Sequence, residues 1–138
     1  ANDKSRDLYM LKVDIKNDLC LLMGPKLNND KFYDIKITDK FTVGEDVFTV
    51  AAPLGMGGPK MRMIFEGKLS GCNDRGCVTT IPATFGSSGG GIYNSKNELI
   101  TIIMAVPHEF DHVIISPSNQ ALIKFIRDID FEIDIYPY

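Results

Sequence analysis

The chain has 138 residues, enough for one domain with a real core, and 44% of them are hydrophobic, an ordinary proportion for a globular protein. Its net charge of −3, with both signs spread along the sequence, excludes a nucleic-acid footprint and a basic membrane-binding stripe. The sequence has no apolar run of about 18 residues that would predict a transmembrane helix, and residues 1–7 do not resemble a signal peptide.

Short β-rich runs separated by turn residues, together with 12 glycines, predict an all-β fold. Residues 8–15 and 19–23 are apolar and predict two strands, and Gly24-Pro25 ends the second. The polar stretch 26–40 predicts a connection. Residues 41–50 contain a turn and then a buried strand at 47–50.

The next segments are a glycine- and proline-rich loop and a strand. Residues 53–59 have the composition of a mobile loop, and residues 60–70 alternate apolar and polar, as a half-solvated strand does. Ile92-Tyr93 and residues 99–106 predict two strands joined by a turn at 94–97.

The C-terminal part predicts a strand at 113–116 and then a helix. Ser116 is a plausible N-cap with Pro117 at the first helical position. One helical face is apolar and consists of Ala121, Leu122, Phe125, Ile126 and Ile129. Alternation in the tail, residues 131–138, predicts a further strand or a docking arm.

The three cysteines leave several alternatives open. Cys20 falls in an apolar strand and is predicted to be a small core residue. Cys72 and Cys77 flank a turn between two strands, where a hairpin disulfide and a zinc half-site are both conceivable. With so few cysteines, two reduced thiols are the default expectation. No cofactor or metal is expected.

A run of glycine and serine at residues 84–91 is the most informative stretch of the chain. Such runs usually form flexible linkers. This run leads directly into the predicted hairpin at 92–106, which favours a positioned loop. A phosphate-binding loop is excluded because no lysine follows Gly91 and no helix opens there.

Within this run, Gly86-Ser87-Ser88-Gly89-Gly90 resembles the Gly-x-Ser-Gly-Gly nucleophile motif of chymotrypsin-like (trypsin-fold) serine proteases. Three further segments resemble the same family in the same order: residues 13–22, 43–55 and 113–118. The pattern is most similar to HtrA/DegP-type and viral trypsin-like enzymes, and it covers most of the chain.

The resemblance implies an organisation of the chain in three parts. Residues 1–24 would be the closing strands of an N-terminal β-barrel, and residues 25–40 the connection between barrels. Residues 41–138 would form the whole C-terminal barrel, with a helix at about 117–129 and a tail.

The resemblance also implies serine endopeptidase chemistry on a polypeptide substrate. Ser88 would be the nucleophile, and the N–H groups of Gly86 and Ser88 would hold the oxyanion. Asp18 would be the catalytic aspartate, because Asp14 stands four residues before it, as in the family. Asp7 fits less well, since choosing it displaces the following segments and abandons the match at Asp14.

The catalytic histidine of the family has no counterpart here. It lies upstream of the aspartate, whereas this chain has only His108 and His112, both downstream of Ser88. Three explanations stay open: a separate N-terminal segment or chain supplies the histidine, the sequence is a fragment, or the chain is an inactive homologue that serves as a binding or structural module.

The family's substrate pocket maps by resemblance onto three segments. These supply Pro82, Ala83, Thr84, Ile103, Met104, Ala105 and His112. No acid lies at the pocket base, so a preference for Lys or Arg is not expected. In one interpretation, His112 binds an acidic or glutamine side chain of the substrate in this pocket. In the other, His112 lies in a surface loop, and the pocket then prefers a small apolar side chain. Ser87 replaces the acidic residue that trypsin carries before its nucleophile, and Gly91 replaces a common proline.

Overall fold

The computed structural model describes residues 7–24, 35–56, 61–83, 85–105 and 113–128. Within these ranges the chain forms eight β-strands, two short 3-10 turns and one α-helix. The strands are β1 (Tyr9–Asp14), β2 (Leu19–Met23), β3 (Asp46–Ala51), β4 (Met63–Cys72), β5 (Cys77–Thr79), β6 (Gly91–Asn94), β7 (Leu99–Ile102) and β8 (Ile114–Ser116). The helix α1 is Asn119–Arg127.

Six strands form one antiparallel sheet in the order β7-β6-β3-β4-β5-β8. The chain that follows β7 reaches the opposite edge, where Ala105 and Ile115 exchange backbone hydrogen bonds of 3.0 and 2.9 Å. Since these bonds join the two ends of the sheet, it curls into a nearly closed barrel.

The barrel interior is filled by inward-facing residues of its strands and of the segments that follow β5 and β7. The fully buried members of this core are Val47, Leu69, Ile81, Ile92, Ile100, Ile103 and Ile114. Gly67 is needed where the chain after β5 crosses β4, because a Cβ there would lie 2.6 Å from the backbone nitrogen of Ile81. The missing side chain therefore brings the segment that leads to the Gly/Ser loop tightly against the sheet.

The hairpin of β1 and β2 forms a separate two-stranded sheet. One face packs through Leu19 into a second apolar cluster with Leu99, Leu122 and Phe125. Lys12 fixes this arrangement, since its ammonium group donates to the carbonyls of Phe125 (3.0 Å) and Asp128 (3.1 Å) at the end of α1. The hairpin is thereby attached to both the helix and β7.

Most of the hairpin's other apolar side chains are exposed. They are Leu8, Tyr9, Met10, Leu11, Val13, Ile15, Leu22 and Met23. Cys20 is also exposed, so the prediction that it is a core residue is wrong. Strand alternation explains the error: Leu19 points to the cluster, and Cys20 points to the opposite, uncovered face.

Cys72 and Cys77 form a disulfide, with their Cα atoms 4.0 Å apart. The default expectation of two reduced thiols was therefore wrong. The two residues pair directly across the β4–β5 hairpin. A short turn between two paired strands places both side chains at the same position of the ladder, which the residue spacing alone does not fix.

Helix α1 begins later than predicted. Its N-cap is Ser118, whose hydroxyl accepts from the Ala121 N–H at 3.1 Å. Ser116 instead belongs to β8, where it pairs with Cys77 and is fully buried. Strand pairing thus holds Ser116 out of the capping position. The predicted apolar face is confirmed for Leu122 and Phe125, which are buried, whereas Ile129 lies outside the described residues.

Candidate active site

The backbone around Ser88 has a shape that ordinary residues rarely adopt. Gly86 and Gly89 have φ values of +91° and +84°, a region that favours glycine. Gly86 also lies so close to the preceding loop that a Cβ would meet the Leu54 nitrogen at 3.0 Å. Both glycines are therefore required by the loop's conformation, which a flexible linker would not need.

Hydrogen bonds fix the loop on both sides. On the C-terminal side, the Gly89 N–H donates to the Ile103 carbonyl and the Ile103 N–H to the Gly90 carbonyl, both at 2.8 Å. On the N-terminal side, the Leu54 N–H donates to the Phe85 carbonyl at 2.8 Å. The two flanks are thus held by different segments, and Ser88 lies between them.

Ser88 is exposed at the tip of this loop, and its hydroxyl donates a long, 3.4 Å hydrogen bond to the Met104 carbonyl. Among the described residues, no acceptor takes the backbone N–H of Gly86 or Ser88. Both N–H groups are therefore open to an incoming acceptor, and the Ser88 hydroxyl is open to solvent. The neighbouring Ser87 differs, because its side chain is buried and its hydroxyl has no partner in the described chain.

Gly91 has a structural explanation that its sequence context did not provide. A Cβ on Gly91 would lie 2.5 Å from the hydroxyl oxygen of Tyr93 and 2.6 Å from the adjoining ring carbon. The Tyr93 ring thus folds back over Gly91, and it stacks on Phe48 with ring centroids 5.6 Å apart. Gly91 makes room for an aromatic pair directly after the loop.

Asp18 is exposed and stands at the end of the 3-10 turn Ile15–Asn17, in a left-handed conformation with φ of +52°. Asp14 holds this turn, since its carboxylate accepts from the Asn17 backbone N–H (3.2 Å) and from the Asn17 side-chain amide (2.6 Å). The amide hydrogen bond of Asn17 lowers the pKa of Asp14 below its ordinary value. Asp14 and Asp18 thus stand at the two ends of this 3-10 turn, which accounts for their spacing of four residues.

The buried neighbour of Asp18 shows which elements its hairpin packs against. Leu19 is buried in the apolar cluster to which Ile102 also contributes. Ile102 lies two residues before Met104, whose carbonyl accepts the hydrogen bond of Ser88. The hairpin thus packs against β7 and α1, and the catalytic roles of Asp18 and Ser88 remain predictions.

The residues assigned to a substrate pocket differ in exposure. Ile103 is buried in the core, Ala83 and Met104 are half-buried, and Pro82 and Ala105 are exposed. Thr84, His108 and His112 lie outside the described residues. The backbone N–H groups of Met104 and Ala105 both donate to Ile115, so this wall is fixed by the barrel closure.

Sequence reasoning missed two other features, one beside this site and one elsewhere in the molecule. Phe85 and Leu54 are largely exposed beside the loop, and the signal available was a phenylalanine within a Gly/Ser run. A cavity of about 620 Å³ lies elsewhere, between α1 and the disulfide hairpin, lined by polar residues such as Asp74 and Arg127. Across the described ranges, no three His, Cys, Asp or Glu side chains cluster as a metal site would require. None of the helical segments described is long and apolar enough to cross a membrane.

No protein-family model and no curated protein sequence matches this chain. Three solved structures of the Rv3671c protease from M. tuberculosis are similar to it, each at 14% sequence identity and over 94% of this chain. The TM-scores are 0.74 for the active form, 0.73 for the inactive form and 0.72 for the inactive form of a serine-to-alanine mutant.

The similarity to these solved structures shows the fold of this chain. The all-β, chymotrypsin-like architecture expected from the sequence is confirmed, with a barrel-like sheet followed by a helix. The chain spans 61% to 70% of the length of these neighbours, so part of each neighbour has no counterpart here.

Proposed function

We propose that this chain is the nucleophile-bearing part of a trypsin-like serine endopeptidase. The observation that carries the proposal is the exposed hydroxyl of Ser88 on a loop fixed from both sides, with unengaged N–H groups on Gly86 and Ser88. The chymotrypsin-like fold, shared with neighbours described as proteases, supports it. The resemblance of the loop to the Gly-x-Ser-Gly-Gly motif points to the same chemistry.

The proposed reaction is peptide-bond hydrolysis through an acyl-enzyme. The Ser88 oxygen attacks the scissile carbonyl while its proton passes to an imidazole, and the peptide C–N bond breaks as that proton moves to the leaving amine. The N–H groups of Gly86 and Ser88 stabilise the oxyanion, an effect worth about 3–4 kcal/mol per donor in comparable sites. Water then hydrolyses the ester and frees Ser88.

Asp18 would hold the imidazole in the correct orientation and tautomer. Two structural facts support this role. The turn that ends at Asp18 is fixed by Asp14 and Asn17, and the strand that begins at Leu19 is anchored on the barrel. A carboxylate that is exposed, with its backbone fixed, suits a partner arriving from outside the described residues.

The exposed face of the β1–β2 hairpin indicates where the missing histidine segment would bind. A two-stranded sheet is at best marginally stable alone, and its face opposite Leu19 exposes Met10, Val13, Cys20 and Leu22, which favours further strands packing there. We propose that the histidine-bearing segment, on the same or a separate polypeptide, covers this face. Asp18, at the end of the hairpin turn, would then lie at the junction.

Labelling with a fluorophosphonate tests the function, because the reagent requires an activated hydroxyl. We expect the complete polypeptide, including the histidine segment, to be labelled at Ser88 and this chain alone to be labelled hardly at all. Ser88→Ala should abolish the reaction. Ser87→Ala is the matched control and should preserve it, because the Ser87 hydroxyl is buried and without a partner in the described structure.

The alternative is a catalytically silent binding or structural module with the same fold. The position of both histidines after Ser88 favours it, as does the apolar hairpin, which would suit a docking surface. Failure of the complete polypeptide to react at Ser88 would establish this alternative over the protease.

A further inference from the structure

The β1–β2 hairpin, which carries Asp18, is attached to the rest of the described structure in two ways. One attachment is apolar and lies on β2, where Leu19 is buried and Leu21 half-buried in the cluster shared with β7 and α1. The other is polar and lies on β1, where the Lys12 ammonium group donates to two carbonyls at the end of α1. Among the described residues, these are the hairpin's only hydrogen bonds to another element.

Lys12 and the end of α1 are chemically matched. The last carbonyls of a helix have no partner within the helix, and the helix dipole makes this end negative. The Lys12 ammonium group binds the carbonyls of Phe125 at 3.0 Å and Asp128 at 3.1 Å. It also lies 4.8 Å from the centroid of the Phe125 ring, within the range of a cation–π contact. Three contacts therefore hold one ammonium group at one place on the helix.

The polar attachment is what holds β1. Lys12 pairs with Leu21 across the hairpin, so the polar and apolar attachments lie side by side on one face. The apolar side chains of β1 are all exposed, and Asp14 bonds only within its own turn. Without Lys12, the described hairpin would be attached along β2 alone and could rotate about that strand.

Such a rotation would change the direction of the Asp18 side chain. Asp18 stands directly before β2, at the end of the turn that joins the two strands. The turn is held internally by the bonds between Asp14 and Asn17, so it moves together with the hairpin. A catalytic group must be held within about 0.5 Å and 10–20° of its productive geometry. The seating of the whole hairpin therefore decides where the Asp18 carboxylate points.

We propose that Lys12 is a positioning residue for Asp18. By binding the C-terminal end of α1, Lys12 fixes the rotation of the hairpin and so the direction of the catalytic carboxylate. The inference rests on the proposed protease function, in which Asp18 orients the imidazole. Lys12 acts through Asp18 and contacts neither the substrate nor the imidazole, so its loss affects the chemical step and not substrate binding.

Peptide hydrolysis by the complete polypeptide tests this role. Lys12→Met keeps the apolar stem of the side chain but removes the ammonium group, and it should lower kcat by about 10- to 100-fold with KM unchanged. In the Asp18→Asn background, Lys12→Met should have no further effect on kcat, because a positioning residue works only through the group it positions. Asparagine tolerates the left-handed backbone at position 18, so the turn is kept.

Lys16→Met is the matched control. Lys16 is exposed and lies two residues from Asp18, but of these two lysines only Lys12 donates to α1. Lys16→Met should therefore leave kcat unchanged. Lys12→Gln is a second, milder variant, because its amide is too short to reach both carbonyls, and it should lower kcat in the same direction as Lys12→Met.

The outcomes separate this inference from the proposed function. An unchanged kcat in both Lys12 variants, an equal loss in Lys16→Met, or a loss that persists undiminished in the Asp18→Asn background would overturn the inference and leave the protease intact. If the unsubstituted complete polypeptide neither cleaves peptides nor is labelled at Ser88, the proposed function is contradicted, and the positioning role with it.

Discussion

The structure explains why position 91 is a glycine, which its place in the sequence does not. In the sequence it stands where the chymotrypsin-like proteases that the motif resembles commonly have proline, which suggests only a looser turn. In the structure the Tyr93 ring occupies the space of its missing side chain and stacks on Phe48. Strand alternation puts Gly91 and Tyr93 on the same face of β6, but it does not predict that the ring lies over Gly91.

Gly91→Ala should therefore destabilise the protein by about 1–3 kcal/mol, because the new methyl group displaces the Tyr93 ring. The free energy of unfolding in urea measures this. In the Tyr93→Leu background the same substitution should cost much less, since the crowded ring is gone. Equal costs in both backgrounds would show that the ring does not lie over Gly91.

Asp14 gives a second expectation at the residue scale. Its pKa is lowered, chiefly by the Asn17 amide, so the native state is stabilised when the carboxylate is charged. That stabilisation is present above the unfolded pKa of about 3.9 and is lost as pH falls through the lower native pKa. Asp14→Asn should thus destabilise the protein at pH 7 more than at pH 3.

Unfolding midpoints of the two proteins at both pH values measure this difference. Asn17→Ala should likewise reduce the loss of stability between pH 7 and pH 3, because it removes the main cause of the shift. A pH dependence that is identical in all three proteins would contradict the role assigned to Asp14.

Among the elements, helix α1 begins at a position that strand pairing determines and that the local sequence does not predict. Ser116-Pro117 is a reasonable helix start in sequence, but β8 extends through Ser116 and pairs it with Cys77. The helix is then capped by Ser118, two residues later. Strand pairing over a long sequence separation decided the boundary, and a local pattern does not contain that information.

Ser118→Ala should destabilise the protein by about 1 kcal/mol, the usual value of an N-cap hydroxyl. Ser116→Ala is the matched test, because the Ser116 hydroxyl is buried without a partner in the described chain and its removal should cost nothing. Thermal or urea unfolding compares the two variants. A larger loss for Ser116→Ala would reverse the assignment of the cap.

Across the whole molecule, alternation and turn residues predicted most of the strands, including β2, β3, β6 and β8 within a few residues. The motif around Ser88 predicted the loop and its place before a hairpin. The hairpin disulfide was one of the alternatives offered by the sequence, but the strand pairing that decides between them is not visible there. The exposure of Cys20 was not predictable, because it depends on which face of β2 another segment covers. The hairpin β1–β2 gives a further example, because its apolar pattern predicted two strands but not that most of these side chains are exposed in the described structure.

The most direct measurement is an experimental structure of the complete polypeptide after reaction with a peptidyl phosphonate. The account predicts a bond to the Ser88 oxygen, with a phosphonyl oxygen about 2.7–3.1 Å from the N–H nitrogens of Gly86 and Ser88. It also predicts the Asp18 carboxylate hydrogen-bonded to an imidazole that contacts the adduct. An adduct on another residue, or Asp18 on the far side of the molecule from Ser88, would contradict it.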